Sequence, residues 1–230
     1  MLPRMSNIIA KKDKDKSKKY ISLSLKLVTI ISSAISFGLI GISNIFTPVF
    51  FGEGYDPCIN IIILLSVTVF FISWANVIRT QYLMPNRYDK IYVISTIVGA
   101  IVNLIINLLL IPKYKAIGAA IGTIFAEFSV MIIQFIAVKK KIPIFKYIFE
   151  YLPILFIGFV MMILVNCIGK YMGISITTII AQILIGGTFF IIFTMIFICI
   201  KRDEFYYLSI DFLKTIKIKL NNLKYIIKSK

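Results

Sequence analysis

Six long apolar runs constrain this sequence more than any other feature. They cover residues 27–49, 59–78, 91–111, 116–138, 151–169 and 174–200, which we name runs A to F in chain order. A helix needs about 20 mostly apolar residues to cross the hydrocarbon core of a bilayer. Each run is close to that length, and none alternates polar with apolar residues as a β-barrel strand does. The sequence therefore predicts an all-α, polytopic membrane bundle with six transmembrane helices.

The composition excludes most soluble proteins and most enzymes. Apolar residues make up 59% of the 230 residues and charged residues only 16%, whereas soluble domains average about 45–50% and 25%. Histidine is absent, which removes the commonest general base and metal ligand. The three cysteines have no paired spacing of the kind that zinc sites use. We therefore expect no catalytic residue, no metal site, no cofactor and no enzymatic activity.

The positions of the basic residues predict the orientation. If the six runs alternate in direction, all of the 26 Lys and Arg residues except Lys113, Lys115 and Lys170 fall on one side. Cytoplasmic loops carry an excess of Lys and Arg, so both termini are predicted to be cytoplasmic. The predicted organisation is a basic N-terminal segment (1–26), the bundle (27–200) and a basic amphipathic tail (201–230) on the cytoplasmic leaflet.

The net charge of +16 raises the question of a nucleic-acid partner. Nucleic-acid binders carry their basic residues on a polar, soluble surface. Here the lysines flank apolar runs instead, which is typical of contact with anionic lipid headgroups. The predicted partner is the lipid bilayer and not nucleic acid.

Glu127 is the one formal charge inside any run, at the middle of run D. A charge at that depth costs at least a few kcal/mol, so it is a functional candidate by default. The structural alternative is a protonated glutamate that donates a hydrogen bond to a neighbouring helix, with Asn103 or Asn107 as acceptor. Arg79, at the cytoplasmic end of run B, is a second candidate for the cavity, but we expect it to lie too shallow to pair with Glu127.

Small and polar residues mark one face of run C and one face of run D. Asn103 and Asn107 are four residues apart in run C, so they share a face that is expected to meet other helices or a watery cavity. Run D carries a GxxxG pattern at Gly118 and Gly122, which is typical of close helix packing. Trp74, near the end of run B, is expected to be an interfacial anchor.

The residues around runs C and D resemble a known transporter family. The stretch AIVNLIINLLLIPKY (100–114) is followed by GAAIGT (118–123) and Ala-Glu at 126–127, and LPRMS (2–6) and FFG (50–52) precede it. Over about residues 1–140 this pattern resembles the second half of the polysaccharide transporters, the lipid-linked oligosaccharide flippases of the multidrug/oligosaccharidyl-lipid/polysaccharide superfamily. Members usually have Gly where this chain has Lys115. They also have at least twelve spans in two lobes.

The resemblance implies a C-terminal lobe of a flippase in the bacterial inner membrane. Such a protein moves undecaprenyl-diphosphate-linked repeat units to the outer leaflet for O-antigen, lipopolysaccharide or capsule synthesis, with Asn103, Asn107, Glu127 and Arg79 as candidate cavity residues. Its partners would be a lipid-linked oligosaccharide and either a missing N-terminal lobe or a second copy of the chain. The alternatives are a drug/cation antiporter of the same superfamily and a non-transporting remnant or subunit.

Overall fold

The computed structural model describes residues 2–202 and 205–207, so most of the predicted tail 201–230 lies outside the described residues. The helices are Leu2–Ala10 (α1), Lys14–Phe51 (α2), Pro57–Ile78 (α3), Asp89–Val138 (α4), Ile144–Met172 (α5) and Ile176–Lys201 (α6), and a π-helical stretch, Arg79–Leu83, continues α3. No strand occurs within the described ranges. Five helices, α2 to α6, are long and apolar enough to cross a membrane. The prediction of an all-α membrane bundle is therefore confirmed.

The longest helix, α4, reverses its direction at Lys115, where φ is 49° and ψ is −125°. A Cβ placed on Gly118 would lie 2.6 Å from the carbonyl carbon of Leu110, although residues eight apart in a straight helix are about 12 Å apart. A Cβ on Gly99 would similarly lie 2.5 Å from the Val130 side chain. α4 is thus a hairpin of two antiparallel arms, residues 89–114 and 116–138, which contain runs C and D.

The first arm of this hairpin does not end at its proline. Run C ends at residue 111, directly before Pro112, yet the helical conformation continues to Tyr114. Proline removes one backbone donor and crowds the preceding turn, but it does not prevent the next two residues from completing that turn. The direction of the chain changes only at Lys115, whose backbone leaves the helical region.

α2 is the central helix and packs against α3, α5 and α6. Small hydroxyl residues occupy much of its buried face: Thr29, Ser32, Ser33, Ser36 and Ser43. The Ser36 hydroxyl donates a hydrogen bond of 2.7 Å to the carbonyl of Ser66 in α3. Helices in a bilayer associate through close backbone approach and such hydrogen bonds, because lipid offers no hydrophobic drive. The sequence analysis had not singled out this face.

The main buried apolar cluster lies where the N-terminal segment meets the α3–α4 and α4–α5 junctions. Trp74 lies within it, 1% exposed, with its ring centroid 5.6 Å from that of Phe135 and 6.4 Å from that of Tyr151. The expectation that Trp74 is an interfacial anchor was wrong. The indole fills the space between α3, α4 and α5 and is not exposed on the outside of the bundle.

The segment 1–26 is largely helical. It contains α1 and the first turns of α2, and Met5 and Ile8 of α1 are buried against the apolar cluster. Lys26 is also buried, with 2% of its surface exposed. Its Nζ lies 5.0 Å from the ring centroid of Phe205 and 5.7 Å from that of Phe197. This lysine therefore belongs to the packing between α2 and α6.

Large apolar side chains also cover the outside of the bundle. Leu108 is 68% exposed, Phe149 71% and Ile200 77%. An exterior of this kind is unfavourable in water, where contiguous apolar patches are rare, but it matches the hydrocarbon of a bilayer. The outer surface therefore supports the same conclusion as the helix lengths.

Candidate functional site

The charged part of the site joins α3 to the α4 hairpin. Glu127 is half-buried on the second arm of α4, next to the buried Ala126. The Arg79 guanidinium is close enough for its charge to act on this carboxyl group, but the two groups form no ion pair among the described residues. We had expected Arg79 to lie too shallow to pair with Glu127, and the described residues show no direct pair between them.

Arg79 also contacts two other parts of the bundle. Its Nη2 donates a hydrogen bond to Oδ1 of Asn76, and its Cζ lies 5.1 Å from the ring centroid of Tyr92 on the first arm of α4. A cation over an aromatic face at this distance is attracted by the ring. Arg79 is therefore held between the end of α3 and the first arm of the hairpin. It begins the π-helical stretch Arg79–Leu83, a kind of irregularity that is frequent at functional sites.

The two asparagines lie between the arms of the hairpin. Nδ2 of Asn107 donates a hydrogen bond of 2.8 Å to Oδ1 of Asn103. Oδ1 of Asn107 lies against Gly122, in the space that a Cβ would occupy, and has no hydrogen-bond partner among the described residues. This arrangement is what the first alternative for this face, contact with another helix, predicts. The Asn107 amide fits there because Gly122 has no side chain.

The structure brings together two separate polar pairs and not one polar cavity. No hydrogen bond joins Glu127 to Asn103 or Asn107 within residues 2–202 and 205–207. The expected donation from a protonated Glu127 to these amides is therefore absent there. Arg79 and Glu127, which we call the Arg79–Glu127 pair because their charges interact without forming an ion pair, lie at the end of α3 and on the second arm of α4, whereas the asparagine pair lies inside the hairpin.

One member of a further polar pair, Gln134, was not identified in the sequence analysis. Nε2 of Gln134 donates a hydrogen bond of 3.1 Å to Oγ of Ser95, which joins the two arms of α4. Both residues are almost fully buried. Gln134 follows Glu127 by seven residues, or about two helical turns, so the two residues share a face. That spacing could have identified it.

A similar buried glutamine joins the last two helices. Nε2 of Gln182 in α6 donates a hydrogen bond of 2.9 Å to the carbonyl of Val165 in α5. The amide also lies beside Gly169, where a Cβ would come within 2.6 Å of its nitrogen. These contacts satisfy the amide nitrogen, whereas Oε1 of Gln182 is buried without a hydrogen-bond partner among the described residues. They indicate a packing role and not a ligand site.

Comparisons with known proteins agree with this architecture. The family model described as "Lipid II flippase MurJ" matches residues 1–146. A protein of Escherichia coli K12 described as "Putative O-antigen transporter" is 27% identical over 53% of this chain. An uncharacterized membrane protein of Methanocaldococcus jannaschii is 32% identical over 60% of this chain. The matched region is 29% of the length of each relative. No solved structure matches the chain.

Proposed function

Because the chain belongs to the lipid II flippase MurJ family, we propose that it forms the C-terminal lobe of a lipid-linked oligosaccharide flippase. The match of the family model to residues 1–146 carries this proposal. The substrate would be an undecaprenyl-diphosphate-linked repeat unit, moved across the bacterial cytoplasmic membrane for the synthesis of a surface polysaccharide such as O-antigen or capsule. The likeness to a protein described as an O-antigen transporter supports this class of substrate.

The proposed topology has six membrane crossings and cytoplasmic termini. The reversal at Lys115 supports it, because each arm of α4 is long enough to cross a bilayer at about 1.5 Å per residue. With the two arms counted separately, the basic loops lie on one side, as the positive-inside rule requires. The turn at Lys115 then lies on the outer side.

The Arg79–Glu127 pair is the proposed contact for the diphosphate. A guanidinium binds phosphate oxygens through two parallel hydrogen bonds, and a nearby carboxylate offsets its charge when the substrate is absent. As two lobes rock about a central path, the diphosphate would replace Glu127 as the partner of Arg79. In this proposal Asn103 and Asn107 support the hairpin and do not bind sugar.

The charge of Arg79 near Glu127 argues against the alternative of a drug/cation antiporter. A drug/cation antiporter needs a carboxylate that is available to a cation inside the lobe. Here the guanidinium of Arg79 already acts on the Glu127 carboxyl group, so cation binding would have to compete with it. We therefore favour a substrate with negative charge.

Deletion of this chain in its native cells tests the function. We expect lipid-linked repeat units to accumulate on the cytoplasmic leaflet and surface glycan to fall, with recovery when the chain is restored. Changed drug sensitivity with normal surface glycan would favour the antiporter. If neither changes, the chain is a non-transporting remnant or subunit.

Reconstitution tests whether one lobe is sufficient. The assay measures how fast labelled lipid-linked oligosaccharide becomes accessible to an external reagent. We expect vesicles that contain the purified chain to show the same rate as empty vesicles, because a single lobe lacks the opposite wall of a substrate cavity. Flipping by a chain that cross-links as a dimer would mean that a second copy supplies the wall. Flipping by a monomer would contradict the proposal of a single lobe.

A further inference from the structure

A cleft of about 530 Å³ lies at the lysine-rich end of the bundle. Three parts of the chain form it: the turn between α1 and α2, the residues around the end of the π-helical stretch, and the loop between α4 and α5. Five lysines from two distant segments line it: Lys12, Lys14, Lys18, Lys140 and Lys141. The fold therefore gathers positive charge at this point. The cleft is separate from the Arg79–Glu127 pair, since neither residue lines it.

The negative charge in the cleft does not balance these lysines. Asp13 is its one acidic lining residue, and Oδ1 of Asp13 accepts a hydrogen bond of 3.0 Å from the backbone nitrogen of Lys16, which caps α2. None of the five lysines forms an ion pair with another residue of the described ranges. Like charges gathered in one cleft repel one another, so an anion that enters it lowers that repulsion.

The other lining groups complete a site for a polyanion. Ser17, Tyr82, Asn86 and Tyr88 supply neutral hydroxyl and amide groups, and Ile21 and Ile142 form a buried apolar floor. Lysine ammonium groups are point charges that bind phosphate without a fixed geometry. The cleft volume lies within the range of about 300–1,000 Å³ that small-molecule sites occupy.

We propose that this cleft binds a diphosphate group at the membrane surface. The group can be borne by an isoprenoid lipid or by a soluble molecule, because the lysines would recognise the phosphates in either case. Titration with both forms distinguishes the two sources. Binding there does not depend on transport by the chain, so the inference stands apart from the proposed function.

The probes are inorganic pyrophosphate, a short polyprenyl diphosphate, the matching polyprenyl monophosphate and sulfate, each titrated into the detergent-solubilised full chain at constant ionic strength. We expect both diphosphates to raise the Tm and to bind more tightly than the monophosphate or sulfate. Tighter binding of the polyprenyl diphosphate than of pyrophosphate would assign the site to a lipid, and equal binding would assign it to a soluble ligand. Equal affinity for sulfate and diphosphate, or no saturable binding, would overturn the proposal.

Neighbouring lysines provide a matched control. The variant Lys12→Gln/Lys140→Gln removes two lining charges, and Lys11→Gln/Lys139→Gln removes two exposed lysines beside them that do not line the cleft. We expect the first to weaken pyrophosphate binding by roughly tenfold and the second by less than about twofold. Equal losses in the two would show general charge attraction and overturn the proposal. Recovery of binding in Lys12→Arg/Lys140→Arg excludes a folding defect as the cause of the loss.

Discussion

At the scale of single residues, charge pairing is the least predictable feature of this chain. The sequence identified Glu127 from its depth and Arg79 from its position at the end of run B, but it placed them apart. Helix length gives the depth of a backbone atom and not the reach of a side chain. A long, amphipathic arginine can extend several ångströms from its backbone, and here the guanidinium lies over the ring of Tyr92 while its charge acts on Glu127 without forming an ion pair.

A double-mutant cycle tests this pairing. Arg79→Gln and Glu127→Gln each leave one charge without its partner, so each should destabilise the bundle, whereas the double variant leaves neither charge. We expect the double variant to lose about 1 kcal/mol less free energy of unfolding than the two single variants lose together. Unfolding in detergent measures these free energies. Strictly additive effects would show that the two groups do not interact.

A cellular experiment tests whether the Glu127 carboxylate has a role in transport. Normal abundance of Glu127→Gln together with lost glycan export would give the carboxylate such a role.

At the scale of elements, the helices and the hairpin could be predicted because they follow from apolar length and from local breaks. Pro112 and the Gly118/Gly122 pattern indicated two helices in close contact, and the structure contains them as the arms of α4. The starts of α2 and α5 could not be located, because their first turns are polar or mixed and depend on contacts made at the lysine-rich end of the bundle. The burial of Trp74 likewise depends on three helices that meet.

The conformation of Lys115 gives the element-scale prediction. Its φ of 49° with ψ of −125° lies in a region that glycine adopts freely and that costs other residues about 1–3 kcal/mol. This backbone conformation explains why members of the polysaccharide transporter family usually have glycine at this position. We expect Lys115→Gly to raise the free energy of unfolding by about 1 kcal/mol. The control Lys113→Gly, at a helical position of α4, should lower it by about the same amount.

Thermal or denaturant unfolding of the detergent-solubilised chain measures both variants. Opposite signs for the two glycines would tie the gain at Lys115 to its backbone conformation and not to the loss of a charge, because each variant removes one lysine. Destabilisation by Lys115→Gly would show that the turn does not adopt this conformation.

At the scale of the whole molecule, the bundle has two different ends. Most of the buried apolar cluster and the lysine-lined cleft lie at one end, while the α4 turn lies at the other. The two ends therefore differ both in packing and in charge. This difference could be foreseen only in part, since the charge bias was visible in the sequence but the joint packing of α1, α2 and the α4–α5 loop was not.

The two ends predict opposite accessibility. In a chain whose Cys58, Cys167 and Cys199 are replaced by alanine, Lys115→Cys should react with a membrane-impermeant thiol reagent added outside intact cells, because the α4 reversal faces outward in the six-crossing topology. Lys141→Cys should react only after the cells are permeabilised. Both variants remove one basic residue from a loop, so a shift of topology through lost charge would affect them alike. Labelling of Lys141→Cys in intact cells would place the lysine-rich end outside, and failure of Lys115→Cys to react would mean that the arms of α4 do not cross the membrane as a hairpin.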